Sequence, residues 1–155
     1  MKKNILVLIL MLMVSIGSMA QTTIVDKYRN NKEVTCISIS KAMFRLMGGN
    51  KSIGGMNLSK LKGQIDGLKV ITTEDKKVSA AIAKDYKDEI KKFKYEELMS
   101  VQEKDEEVMC YAKMNGETIT SVMMLVTGKG KDAETVFLYI TGMFKPEDLE
   151  SLTNM

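Results

Sequence analysis

Two Ser-x-x-Lys pairs, Ser38–Lys41 and Ser59–Lys62, are the residues whose types and spacing come nearest to a catalytic device. On one turn of a helix that spacing sets a hydroxyl nucleophile beside an amine able to take its proton. Neither pair is followed by the S-D-N or K-T-G segments that complete such sites. A second cluster is formed by the carboxylates Glu103, Asp105, Glu106 and Glu107. Clustered oxygens bind Ca²⁺, but a calcium loop needs alternating ligands and a turn-forming glycine. Lys104 interrupts the run, so a charged hairpin tip that discourages edge pairing is the better account. Gly49-Asn50-Lys51-Ser52 echoes the end of a phosphate-binding loop, yet Asn stands where that motif requires Gly before the lysine. Methionines could hold a soft metal. Met43 and Met47 are the only pair at helical spacing, and core filling by an adaptable side chain is simpler. No metal and no cofactor is expected.

The chain has no histidine. That excludes Ser-His-Asp and Cys-His hydrolases, histidine general bases and most zinc or copper sites. Trp is absent too, which argues against a carbohydrate-stacking platform. Cys36 and Cys110 are the only cysteines. In an oxidising compartment such a pair is naturally one disulfide. The competing account is two small buried side chains on separate strands.

The elements that would position these residues follow from periodicity. Residues 24–31 predict a short helix, and Val34–Ile39 alternates as a first strand with Ile37 and Ile39 on one face. Ser40 then caps a short helix ending at Gly48-Gly49, followed by a loose Asn50–Gly55 loop and a helical piece, LSKLKGQ. Gly67–Thr72 is a second strand. Next comes an amphipathic helix capped by Thr72 or Thr73, with Val78, Ile82, Tyr86, Ile90 and Phe93 on its apolar stripe. Four strands follow without intervening helices: Tyr95–Glu103, Glu107–Met114, Thr118–Val126 and Thr135–Phe144. Asn115-Gly116 predicts a type I′ hairpin, with positive φ at both residues. Pro146 opens a C-terminal helix.

This order defines an α+β fold: a mainly antiparallel sheet ending in a four-stranded meander, with helices packed on one face. The last two strands are apolar on both faces, which means either that both are covered or that one is open to a partner.

Residues 1–20 carry an address. Lys2 and Lys3 precede an apolar run from Ile5 to Ile16, and Ser18-Met19-Ala20 offers small residues for cleavage between Ala20 and Gln21. The run is shorter than the roughly 20 residues of a membrane-spanning helix. Residues 21–155 then form one α+β domain, in the periplasm or outside the cell. Without Lys2 and Lys3 the chain carries 21 basic against 20 acidic residues, which gives no electrostatic case for nucleic acid. Gln21 follows the cut where a lipoprotein has Cys, so no lipid anchor is expected.

Four segments, ISISKAMFRLM (Ile37–Met47), IDGLKVITTEDK (Ile65–Lys76), YEELMSVQEKDEEVMCYAK (Tyr95–Lys113) and FLYITGMFKPEDLESL (Phe137–Leu152), resemble the domain of unknown function 4252 family. The resemblance spans nearly all of the chain after residue 20, in order, and carries no catalytic motif. It implies small exported Bacteroidetes-type proteins, an envelope setting and an α+β domain. Family genes lying near those for sigma and anti-sigma factors imply a part in envelope regulation. Many relatives resemble lipoproteins, and this chain departs from them at Gln21. The expected function is a non-enzymatic binding or regulatory module with an envelope protein partner, meeting it through the open sheet face or the Asn50–Gly55 loop. The alternative is a histidine-free hydrolase using Ser/Lys or paired carboxylates.

Overall fold

The computed structural model describes residues 23–46, 52–53, 56–57 and 64–148. The expectations placed on residues 1–22, on the Gly48-Gly49 helix end, on the Ser59–Lys62 pair and on the end of the C-terminal helix lie outside the described residues. So does most of the Asn50–Gly55 loop, with its Gly49–Ser52 echo.

Helix α1 (Ile24–Tyr28) is started by Thr23, whose hydroxyl and backbone exchange hydrogen bonds with Asp26 in a capping box. Strand β1 (Thr35–Ser40) runs directly into α2 (Lys41–Leu46), where the Met43 amide donates to Ser40 Oγ at 3.4 Å. Two short strands, β2 (Ser52–Ile53) and β3 (Met56–Asn57), pair with each other as a separate two-stranded sheet. Strand β4 (Ile65–Thr73) leads to helix α3 (Lys76–Phe93), and the meander follows as β5 (Glu96–Gln102), β6 (Glu106–Asn115), β7 (Thr118–Gly128) and β8 (Thr135–Phe144).

These strands make one six-stranded sheet in the order β1-β4-β8-β7-β6-β5, every neighbouring pair antiparallel. The α+β class and the meander are as the sequence predicts. The long β4 lies between β1 and β8, so the last strand of the meander is internal and the sheet ends on β1 and β5.

The apolar stripe of α3 forms as its spacing requires: Ile82 and Tyr86 are buried against the sheet, with Val78, Ile90 and Phe93 beside them. Its cap differs from expectation. Asp75, not Thr72 or Thr73, accepts from the Val78 amide at 2.8 Å. Thr73 is the last residue of β4 and donates its hydroxyl to the Glu33 carbonyl at 2.7 Å, so it is committed to the sheet end. The β6–β7 turn is also displaced by one residue. Asn115 pairs with Thr118, the loop is Gly116-Glu117, and positive φ falls on Gly116 (63°) but not on Asn115. Glycine at the first loop position is the pattern of a type II′ turn, not type I′.

Each face of the sheet carries its own core. Helices α1 and α3 lie on one face, over Ile71, Met123, Leu125 and Phe137. The other face gathers Leu68, Ala112, Val122, Ile140 and Phe144, and there α2 contributes Phe44. Two cross-strand rows on that second face carry no charge: Thr35–Thr72–Val136–Val126–Val108–Val101 and Ile37–Val70–Leu138–Met124–Cys110–Met99. Their ends are exposed at the sheet edges, at Ile37, Met99 and Val101.

The disulfide expectation is corrected by this topology. Cys36 lies in the helix-side core and Cys110 in the opposite one, and both thiols are free. Their strands are four spacings apart, roughly 19 Å across the sheet. No disulfide spans that distance. The packed-thiol alternative holds for Cys110, which is buried, while Cys36 is half-buried; burial pushes the Cys110 thiol up to about 11.

A polar cleft beside helix α1

On the helix-side face, polarity changes along the strands one cross-strand row at a time. The first row, Cys36–Ile71–Phe137–Leu125–Met109, is apolar from β1 to β6 and ends on Ser100 at the β5 edge. The next is Ser38–Lys69–Tyr139–Met123–Tyr111, and the third is Ser40–Gly67–Thr141–Ser121–Lys113. Alternation along each strand keeps all three rows on one face. Helix α3 closes the β6–β7 end of these rows. Tyr86 lies fully buried there, its hydroxyl 3.0 Å from the Met109 carbonyl and 3.1 Å from that of Met123. Lys113 is covered as well, its ammonium 5.2 Å from the Phe93 ring centre.

The β1–β4–β8 end of the two polar rows stays open. It forms a cleft of about 400 Å³ whose wall is completed by Thr23, at the start of α1. Ser38, Lys69 and Tyr139 stand side by side on its floor, and Ser40 and Thr141 flank Gly67. Gly67 leaves a gap in that row: a Cβ there would stand 3.4 Å from Thr141 Oγ1 and reduce the space. A β-bulge between Ile65 and Gly67 turns Asp66 to the rim. Bulges commonly re-aim side chains in this way beside functional sites.

The charges in the cleft are ordered. Asp26 receives a 2.7 Å hydrogen bond from the Thr23 hydroxyl, and Lys69 Nζ stands 3.6 Å from its Oδ1. The Thr23 hydrogen bond, followed by the Lys69 and Arg29 charges, holds the Asp26 carboxyl below its ordinary value despite some burial. At 3.6 Å the Lys69 contact is an ion pair without a hydrogen bond. Asp66 is tied on its outer side to Lys41 at 3.0 Å. Tyr139 is pushed up to about 12, chiefly by burial and then by Tyr95, and its phenol keeps its proton in hydrogen bonds with Ser121 and Tyr95.

The sequence candidates separate in space. Ser38 lines the cleft, but its neighbour there is Lys69 from the adjacent strand. Lys41, at the S-x-x-K spacing, points to Asp66. The spacing has meaning only on a helix, and Ser38 belongs to a strand. The acidic cluster builds the β5–β6 turn: the Glu103 amide donates to the Glu106 carbonyl at 2.8 Å, and Lys129 binds the Glu103 and Asp105 carbonyls. Among the described residues no three Cys, Asp or Glu side chains gather as a metal site. Sequence reasoning missed Lys69, Tyr139 and Thr141. The available signal was the alternation of Ser38 and Ser40 with Ile37 and Ile39, which marks one face of β1 as polar.

The fold and this site define an α+β domain with a two-cored antiparallel sheet and a polar cleft at one end of its helix-bearing face. A family model described as a domain of unknown function, DUF4252, matches residues 28–152, and the chain belongs to that family. Neither the curated proteins nor the solved structures contain a match to it.

Proposed function

We propose that the protein is exported to the cell envelope and works there as a binding module, with the cleft beside α1 as its site. One observation carries the reading: hydrogen-bonding groups from β1, β4 and β8 converge on a concave surface that α3 leaves open. Their chemistry favours binding over turnover. The ammonium beside Ser38 is paired with Asp26, and the neighbouring phenol is held protonated. Export rests on the Lys2–Ala20 segment.

Two measurements test the reading together. Cell fractionation with N-terminal mass spectrometry is expected to find the chain outside the cytoplasm, beginning at Gln21. A small-molecule extract of the envelope is expected to raise the melting temperature of the purified protein, and Gly67→Val is expected to remove that rise. An uncleaved cytoplasmic chain would contradict export. An extract without effect on the melting temperature would contradict binding. A regulatory role through an envelope protein partner is a second reading. It is favoured by Ile37, Met99 and Val101, which leave apolar surface exposed at both edges of the second face.

A further inference from the structure

The geometry points to a small zwitterion, of amino-acid to dipeptide size, as the ligand of the cleft. The inference rests on the binding reading above and adds the chemical class. Among the described residues two charged side chains line the cleft, and they have opposite sign: Lys69 on the floor and Asp66 at the rim. Among the described residues the Lys69 ammonium makes no hydrogen bond, and its ion pair with Asp26 is 3.6 Å long. The hydroxyl of Ser38 stands beside it in its row and that of Thr141 follows in the next, while the Tyr139 ring, whose hydroxyl is hydrogen-bonded with Ser121 and Tyr95, walls the other side. A ligand carboxylate set over Lys69 would take a charge-assisted hydrogen bond from the ammonium and further bonds from these hydroxyls.

The same arrangement disfavours other ions. A phosphate dianion at Lys69 would bring its second charge toward Asp66 and Asp26, which oppose it. A ligand with only a cation could use Asp66, but it would leave the lysine and hydroxyl donors unmatched. A carboxylate and an ammonium on one molecule answer both ends at once. The volume of about 400 Å³ lies in the range of small-ligand sites. The gap over Gly67 gives the ligand backbone room between Ser40 and Thr141.

Isothermal titration calorimetry on the purified protein tests this with L-alanine, L-alanyl-L-alanine, acetate, ethylammonium and inorganic phosphate. The two zwitterions are expected to bind at least tenfold more tightly than the singly functional ions or phosphate. Lys69→Met and Asp66→Asn are each expected to weaken zwitterion binding tenfold or more, and Gly67→Val to abolish it. Circular dichroism melting of each variant verifies that it folds. Acetate or phosphate binding as tightly as the dipeptide, with Asp66→Asn unchanged, would overturn the ligand class and leave the cleft as a binding site. Zwitterion binding that survives both Lys69→Met and Gly67→Val would overturn its location. If no probe binds while the envelope extract still stabilises the protein, the class fails and the binding reading stands. If neither acts, both fail.

Discussion

The helix-side face of the sheet has two ends built by the same strands and opposite in character. Under α3, the row Cys36–Ile71–Phe137–Leu125–Met109 is apolar and closed. Beside α1, two residues further along each strand, Ser38, Lys69 and Tyr139 face an open cleft. The period of two places every residue of one row on the same face as the next, so substitution, not register, sets the difference. Helix length does the rest. The 18 residues of α3, with the buried Ile24, Val25 and Tyr28 of α1, cover one end, whereas at the other only Thr23, at the start of α1, reaches the cleft wall. The closed end holds the fold together, and the open end keeps polar groups available.

That division predicts unequal responses to substitution. Tyr86→Ala should cost most, because it removes a fully buried ring in edge contact with Tyr111 and Phe137, at 5.9 and 6.0 Å. Urea unfolding should show a loss of about 3–5 kcal/mol. Ser79→Ala comes next. It leaves the Thr135 hydroxyl, 2.6 Å away and buried, without that partner, at about 1–3 kcal/mol. Adding Thr135→Val should recover much of the loss, since both halves of the pair are then absent. A double mutant as unstable as the sum of the singles would show that the hydroxyl pair does not act as a unit.

The two ends should also respond together to alkali. Burial raises Tyr86 and Tyr95 under α3 and Tyr139 at the cleft, the last to about 12. The unfolded chain begins to lose phenolic protons near pH ~10, while the folded chain still holds them. The stability contributed by Tyr139 is therefore complete below pH ~10 and is lost as the pH climbs toward about 12. Urea midpoints measured across this interval should fall with rising pH, and Tyr139→Phe should make the fall shallower. Lys69→Met should have the smallest effect on stability, under about 1 kcal/mol, because its ion pair with Asp26 is partly exposed. A large loss there would mean that the open end is structural after all.

Much of this contrast was legible along the chain, and its decisive part was not. The meander was readable because each of its strands pairs with the next through a short turn, and α3 because its stripe repeats at helical spacing. Val122, Met124 and Val126, alternating with Met123 and Leu125, announced a strand apolar on both faces, and the two cores bear this out. The placement of β4 between β1 and β8 was not readable, since pairing across 60 or more residues leaves no local trace. The cleft depends on that pairing. Ser38 and Lys69 are 31 residues apart and become neighbours only through register, whereas Ser38 and Lys41 are close in sequence and diverge in space. The Asp75 cap and the Gly116-Glu117 turn were each displaced by a residue or more for a similar reason. Strand ends are fixed by their partners, and caps and turns adjust to them.

Two-dimensional ¹H–¹⁵N NMR during titration with L-alanyl-L-alanine tests the central contrast most directly. The predicted result is amide shifts clustered at Ser38, Lys69, Tyr139 and Thr141, with Ile71, Leu125 and Phe137 unmoved. Shifts concentrated under α3 or on the second face, or none at the cleft, would contradict it.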